Sequence, residues 1–170
     1  MTANNADKQT LGNTAYWTAA VRALEHRRAE RLFSDPWAQA LAGEVGTAWM
    51  AGRTPEIVVP IALRTRYFDD FLLRIADSEG IRQVVMLAAG LDTRAYRLAW
   101  PEGMRFFEMD QAEVLVYKEQ VLASAGAKPA GELHHLPVDL TGDWQAVLLK
   151  SGFDPTQPVG WLLEGFLFYI

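Results

Sequence analysis

The chain has 170 residues, half of them hydrophobic, with 22% charged side chains and a net charge of −5, which is typical of one globular domain with a real core. The acidic balance argues against a nucleic-acid partner or an anionic membrane surface, because phosphate binding needs a concentrated basic face. The lack of cysteine excludes disulfides and thiolate chemistry. No segment looks like a signal peptide or a membrane span, so we expect a cytoplasmic location.

Helical periodicity dominates the first 80 residues. A polar lead-in comes first and is expected to be disordered. Apolar positions then recur at helical spacing as far as residue 33, and Ser34, Asp35 and Pro36 give a cap-and-start signal for a short second helix. A third, long helix is predicted to end at Gly80. The predicted division of the chain is a lead-in over 1–13, a helical cap region over 14–80 and a cofactor-binding sheet region over 81–170.

Short apolar runs alternate with helical patterns beyond Gly80, which predicts a parallel sheet. The first and last runs, VVMLAA and GWLLEGF, are apolar nearly throughout, as expected for strands covered on both faces. Crossover helices are predicted at 111–124 and 143–151. The predicted strands are 83–89, 104–109, 134–138 and 159–166.

Residues that follow the first two strands are candidates for ligand binding, because ligands of open parallel sheets gather at the carboxyl ends of the strands. Gly90, after Ala89, lets the backbone turn sharply and lets a ligand approach without a Cβ in between. Asp110 comes about 20 residues later, the usual spacing for a carboxylate that accepts hydrogen bonds from ribose hydroxyls. Glu108 meets this spacing more loosely. Asp92 is interpreted as the cap of the short helix that follows.

Acidic residues also follow the third and fourth strands. Asp139 can accept a bond from an adenine amine while the Leu140 amide donates to a ring nitrogen, although Asp139 also suits a turn. Glu164 interrupts an apolar run, and a carboxylate there needs a cation or donors. Three acids around one site would repel a pyrophosphate, which favours a ligand with a cationic centre such as S-adenosylmethionine.

Two arginines, Arg64 and Arg66, lie within one turn of the third helix. Either can hold a carboxylate by a bidentate contact. The alternative is an ordinary surface pair with Asp69 or Asp70 at the next turn. The three histidines show no metal-ligand spacing with acids, so no metal site is predicted.

Seven segments carry a family resemblance: YWTAAVRALE, RLFSDPWAQAL, IALRTRYFDDFLL, VVMLAAGLDTRAYRL, FFEMDQAEVLVYK, LPVDL and WLLEGFLFYI. Together they resemble the leucine carboxyl methyltransferase-like family, and most closely its bacterial branch of S-adenosylmethionine-dependent methyltransferases, common in actinobacteria. AAGLDTRAYRL and FFEMD, in this order and at this separation, are the most specific. The resemblance covers residues 16–170 and implies an α/β, Rossmann-like class I methyltransferase fold preceded by helices.

The resemblance implies S-adenosyl-L-methionine as the cofactor and assigns it a set of contacts. The implied contacts are Ala89 and Gly90 beneath the cofactor, Asp110 at the ribose, Asp139 and Leu140 at the adenine, Glu164 at the methionyl amine, and Arg64 or else Arg66 at the methionyl carboxylate. Tyr16 and Arg22 could line the acceptor pocket, and no catalytic residue is assigned.

Family members continue beyond WLLEGFLFYI, so the resemblance implies an incomplete sheet here, in the order 3-2-1-4, with the fourth strand at an edge. A homodimer or another partner covering that strand is expected. The expected function is O-methylation of a carboxylate or hydroxyl of a small-molecule acceptor. Two alternatives stay open: a cofactor-binding or structural remnant without turnover, and a nicotinamide-dependent oxidoreductase, although AAGLDTR has one glycine where the dinucleotide motif has three.

Overall fold

Three helices precede the sheet in the computed structural model, which describes residues 5–53 and 55–167. Helix α1 packs against α2 through buried alanine and leucine side chains, and α3 follows a single 3-10 turn. Pro60 lies in the first turn of α3, where backbone N–H groups have no intrahelical acceptor, so a proline is tolerated there. The helices span Asn5–His26 (α1), Ala38–Met50 (α2) and Val58–Ser78 (α3).

Helix α1 differs from its predicted bounds at both ends. It begins at Asn5, inside the predicted lead-in, while residues 1–4 lie outside the described residues. It ends at His26 rather than at residue 33. The buried carboxylate of Glu25 accepts the backbone amide of Leu32 at 2.7 Å, and this contact turns the chain back after the last helical residue.

Helix α2 begins at Ala38, two residues after the predicted start signal, and is interrupted at Gly43 by a left-handed φ of 53°. The prediction that Asp35 is part of a helix cap was wrong. Its carboxylate is fully buried and bonds Arg22 and Thr93. The backbone carbonyl of Asp35 still accepts the amide of Ala38, at 3.3 Å.

A four-stranded parallel sheet follows, in the order β3-β2-β1-β4. This confirms the predicted α/β class, the parallel sheet and the strand order 3-2-1-4. All five residues of β1 are buried, as expected for a strand paired on both edges and covered on both faces. The strands span Gln83–Leu87 (β1), Arg105–Asp110 (β2), Glu132–Pro137 (β3) and Val159–Leu162 (β4).

Alternate residues of the strands enter two separate cores. Val84 and Phe106 pack with α3 on one face of the sheet. Val85 and Phe107 pack with α6 (Trp144–Lys150) and the segments around it on the other face. Both central strands are therefore held between layers. The connecting helices span Arg94–Arg97 (α4), Ala112–Ser124 (α5) and Trp144–Lys150 (α6).

Strand β4 is shorter than predicted. It ends at Leu162, and Glu164 lies in a turn instead of inside the strand. Gly165 has a φ of 72°, a left-handed conformation that ends extended pairing. In the described part of the chain, β4 pairs only with β1 and forms an edge of the sheet. No helix described here is both long and apolar enough to cross a membrane.

Candidate functional site

The glycine turn after β1 is tightly constrained. Ala88 and Gly90 both have a φ of 53°, and a left-handed alanine is a strained conformation. The amide of Ala89 donates to the carbonyl of Met109 at 3.1 Å, so the turn remains anchored to the end of β2. A Cβ built on Gly90 would lie 3.4 Å from the Cβ of Ala15, which places α1 beside the turn.

Asp110, at the end of β2, is held by two backbone amides. Its Oδ2 accepts the amide of Gly90 at 2.6 Å, and its Oδ1 accepts the amide of Gln111 at 2.7 Å. Burial raises the pKa of the Asp110 carboxyl above its ordinary value, although both amides oppose this shift. Each carboxylate oxygen has two lone pairs, so both oxygens can accept a second hydrogen bond from vicinal hydroxyls. These residues fit the ribose of an adenosyl group.

Glu108, the looser candidate for the ribose, has a different role. Its carboxylate forms an ion pair with Lys118 of α5 at 2.5 Å, and both side chains are fully buried. The pair joins β2 to the helix that covers it. Glu108 therefore belongs to the packing beneath the site, and Asp110 is the carboxylate presented at the strand end.

The residues after β3 form a compact turn. Oδ1 of Asp139 accepts the amide and the hydroxyl of Thr141 at 3.0 and 2.7 Å, and its carbonyl accepts the amide of Gly142 at 2.9 Å. This arrangement matches the turn alternative for Asp139. Leu140 is partly buried in the core beside Val138. The adenine role of Asp139 and Leu140 remains a prediction.

Glu164 lies between two arginines. Its Oε1 accepts a hydrogen bond from Nε of Arg64 at 2.7 Å, and its Oε2 lies 2.8 Å from Nη1 of Arg94. The structure thus joins the two residues predicted for the two ends of the methionyl group, Glu164 and Arg64, in one ion pair. It adds Arg94, which the sequence interpretation did not select.

Arg66 lies apart from this cluster. Its Nε donates to Asp70 at 2.7 Å, one turn along α3, and its Nη1 donates to the carbonyl of Leu32 at 2.8 Å. The hydrogen bond to Asp70 raises the pKa of this exposed guanidinium. Of the two candidate arginines, the structure brings only Arg64 to Glu164.

Arg94 is a buried centre of charge contacts. Its Nε donates to Asp69 of α3 at 2.7 Å, and its Nη1 bonds Asp92. Arg94 is the largest charge that opposes the desolvation of Asp92, and the pKa of that carboxyl is lowered to about 2. Asp92 also accepts the backbone amide of Arg94 at 2.7 Å, so the expected helix-start contact is present as well.

The same contacts continue to the N-terminal helices. Arg97 makes a two-pronged pair with Asp69 at 2.6 and 2.7 Å. Thr93 donates to Asp35, and Arg22 donates both to Asp35 and to the carbonyl of Leu91, at 2.6 Å. We call this connected set the ion cluster. It contains four arginines and four acids, Arg22, Arg64, Arg94, Arg97, Asp35, Asp69, Asp92 and Glu164.

The sequence interpretation missed the cluster because its members are scattered along the chain. The available signal was Asp92-Thr93-Arg94, a polar triplet directly after an apolar strand and its glycine turn. Such residues need partners when they are buried. Arg22, proposed for the acceptor pocket, is a buried member of the cluster. Tyr16 packs edge-on against Tyr117, with 5.1 Å between the ring centroids. Burial raises the pKa of the Tyr16 hydroxyl.

Metal ligands are not grouped in the described residues. No set of three or more histidine, aspartate or glutamate side chains there is arranged to hold a metal ion.

The strand order, the glycine turn after β1 and the carboxylate at the end of β2 place the chain in the Rossmann-like class of methyltransferase folds. The family model for leucine carboxyl methyltransferase matches residues 15–170. The chain belongs to this family.

Similar proteins come from actinobacteria and have names of the form "Putative S-adenosyl-L-methionine-dependent methyltransferase". A Saccharopolyspora erythraea protein is 43% identical over 94% of this chain and 58% of its own length. A Mycolicibacterium smegmatis protein is 43% identical over 95% of this chain and 58% of its own length. A Parafrankia protein is 45% identical over 94% of this chain and 54% of its own. The chain therefore spans less than two thirds of these relatives.

Proposed function

We propose that this chain binds S-adenosylmethionine and belongs to an enzyme that transfers a methyl group to an oxygen of a small molecule. The observation that carries the proposal is the Gly90–Asp110 contact, which presents a partly buried carboxylate beside a left-handed glycine at the junction of β1 and β2. The names of the relatives support the same cofactor. The lack of cysteine supports a cytoplasmic location.

The residues around this junction provide groups for both ends of the cofactor. Asp110 accepts from the ribose hydroxyls, and the backbone at Gly90 allows close approach. Glu164 provides an anion for the ammonium group, and Arg64 a planar cation for the carboxylate. When bound, the cofactor supplies an electrophilic methyl group on a sulfonium. The Asp110 carboxylate, which pairs with no arginine or lysine in the described residues, disfavours a pyrophosphate at this turn.

The acceptor oxygen is proposed from the demands of the reaction. In-line transfer depends mainly on holding an oxygen close to the methyl group and aligned with the departing sulfur. A carboxylate or hydroxyl acceptor needs little further help, so no conspicuous acid or base is required. Helix α1 passes beside the glycine turn at Ala15, which makes the neighbouring Tyr16 our candidate for the acceptor side.

Calorimetry of the purified chain tests the cofactor. We expect S-adenosylmethionine and S-adenosylhomocysteine to bind and NAD to give no heat of binding. Binding of NAD alone would overturn the proposal in favour of an oxidoreductase. Transfer of labelled methyl groups to a panel of small carboxylic acids and alcohols then tests the oxygen acceptor, with amines and thiols as controls.

Binding without turnover is the second candidate function. The observation that favours it is the open edge of β4, where Trp161 is 42% exposed. Burial of this edge by a second copy of the chain would leave the glycine turn and Asp110 in place. Cofactor binding with no methyl transfer to any acceptor in the panel would support this candidate.

A further inference from the structure

The two arginines that hold Glu164 differ in exposure. The side chain of Arg64 is 36% exposed, whereas that of Arg94 is 2% exposed. They also bond different oxygens of the carboxylate, Oε1 and Oε2 respectively. Glu164 lies beyond the last residue of β4, so the strand ladder does not fix it. Its position depends on these two cations.

All three guanidinium nitrogens of Arg94 have partners in the described residues. Its Nε is bonded to Asp69, its Nη1 to Asp92, and its Nη2 lies 3.4 Å from the carbonyl of Thr65. The carbonyl of Arg94 itself accepts the indole N–H of Trp100 at 2.7 Å. Moving this guanidinium would leave the largely buried carboxylate of Asp92 without its cation, which is costly.

Arg64 is held much more weakly. Within residues 5–53 and 55–167, its side chain donates one hydrogen bond, from Nε to Glu164. A partly exposed arginine can leave such a partner at little cost, because water replaces the contact. Oε1 of Glu164 is therefore the oxygen that an incoming cation can take.

We infer that Arg94 is a positioning residue, which holds Glu164 through Oε2, and that Arg64 is an exchangeable partner, which yields Oε1 to the ammonium group of the cofactor. The inference rests on the proposed function. The released Arg64 guanidinium then stands beside the same end of the cofactor, where the carboxylate needs a partner. Arg94 thus holds Glu164 through Oε2, while Oε1 of the same carboxylate binds the ammonium group.

Arg94→Lys tests the positioning role. Lysine keeps the charge but loses the planar fork, so it cannot bond Asp69 and Glu164 together. The readout is affinity, by calorimetry, for S-adenosylhomocysteine and for methylthioadenosine, which lacks the amino-acid tail. We expect at least a roughly tenfold loss for the first ligand and less than about a twofold loss for the second. An unchanged ratio of the two affinities would overturn the inference.

Arg97→Lys is the matched control. The Arg97 side chain is 3% exposed and pairs with the same Asp69, but it makes no contact with Glu164 in the described chain. Both lysine variants should lose stability in urea. Only Arg94→Lys should change the ratio of affinities, and an equal change in Arg97→Lys would show a merely structural effect.

A double-mutant cycle with Glu164→Gln identifies the partner of Arg94. In that background, Arg94→Lys should cause no further selective loss of S-adenosylhomocysteine, because the carboxylate to be positioned is already gone. An additive selective loss would contradict the inference.

A charge-balanced variant covers the case in which Arg94→Lys does not fold. Asp92→Asn combined with Arg94→Met removes one charge of each sign, which buried sites tolerate better than a single unpaired charge. The same selective loss is expected, and an unchanged ratio would again overturn the inference. If the parent chain binds neither ligand, the proposed function itself fails. If it binds both and keeps their ratio in the Arg94 variants, only the inference fails.

Discussion

Asp110 accepts the backbone amide of Gly90 at 2.6 Å, and this contact ties the end of β2 to the turn that follows β1. The carboxylate is thereby oriented before any ligand arrives. Because its second oxygen accepts the Gln111 amide, rotation of the side chain would break two backbone contacts at once. A group fixed in this way binds without a further loss of rotamer freedom.

Asp110→Ala should weaken binding of S-adenosylhomocysteine by roughly ten- to a hundredfold, or about 1.5 to 3 kcal/mol, because both ribose hydroxyls lose their acceptor. Calorimetry measures the change. Asp154→Ala is the control, since Asp154 bonds Gln83 at the opposite end of β1. Binding as tight as that of the parent in Asp110→Ala would show that the ribose assignment is wrong.

Arg64→Lys should weaken the binding of S-adenosylhomocysteine more than that of methylthioadenosine. The substitution keeps the positive charge but loses the planar guanidinium that pairs with the carboxylate of the amino-acid tail. Arg66→Lys, on the same helix but paired with Asp70, should leave both affinities unchanged. Titration of each variant with each ligand is the measurement. Equal losses for both ligands in Arg64→Lys would remove this residue from the site.

Gly90→Ala should lower both stability and cofactor affinity. An alanine with a φ of 53° costs about 1 to 2 kcal/mol, and its Cβ would lie 3.4 Å from that of Ala15. Relief of this strain would shift the turn whose amide orients Asp110. Gly103→Ala is the matched control, with a φ of 80° and no atom within 4 Å of the added Cβ. Urea unfolding should show a loss in both variants, whereas calorimetry should show weaker binding only in the first. Unaltered affinity in Gly90→Ala would contradict the proposed place of the cofactor at this turn.

Asp92→Asn should make the free energy of unfolding depend less on pH in the acidic range. The folded pKa of about 2 lies below the ordinary value of 3.8, so ionised Asp92 stabilises the fold above the unfolded pKa. This contribution, roughly 2 kcal/mol, disappears as the pH falls through the folded pKa. Urea unfolding between about pH 5 and pH 2 should therefore show a steeper decline in the parent than in the variant. Parallel declines would disprove the ionic role of Asp92.

The open edge of β4 should make the parent chain associate. Light scattering at about 100 µM is expected to show a dimer, because an exposed apolar edge strand recruits another strand. Trp161→Lys should reduce association, since a charge on the edge opposes pairing. Leu149→Lys, at a similarly exposed apolar position on α6, is the control. A parent that stays monomeric at this concentration would refute the expectation.

The sheet could be predicted from sequence because its signals are local. Apolar runs, a glycine after the first and an acid after the second are each contained within a few residues. The end of β4 could not be predicted in this way. The apolar run continues to Phe166, but Glu164 is drawn into a turn by Arg64 and Arg94, which come from distant parts of the chain.

The ion cluster was unpredictable for the same reason. Asp69 and Arg94 meet from different helices, and neither segment shows that the other is its partner. The surface pair Arg66–Asp70 was foreseeable, because four residues of separation on a helix bring side chains together. Asp35 shows why a local pattern can mislead. Its position before a helix suggests a cap, but its carboxylate is buried in the folded chain and pairs with Arg22.

Sequence separation within the ion cluster has a consequence for how the chain is made. Glu164 lies 100 residues beyond Arg64, whereas Arg94 lies 25 beyond Asp69. On a ribosome, all four arginines and three of the four acids emerge well before the last acid. The nascent cluster thus carries one uncompensated positive charge, which Glu164 neutralises when β4 docks. A nascent chain stalled before this residue would hold Asp110, the carboxylate proposed for the ribose, but would lack Glu164, the anion proposed for the ammonium group.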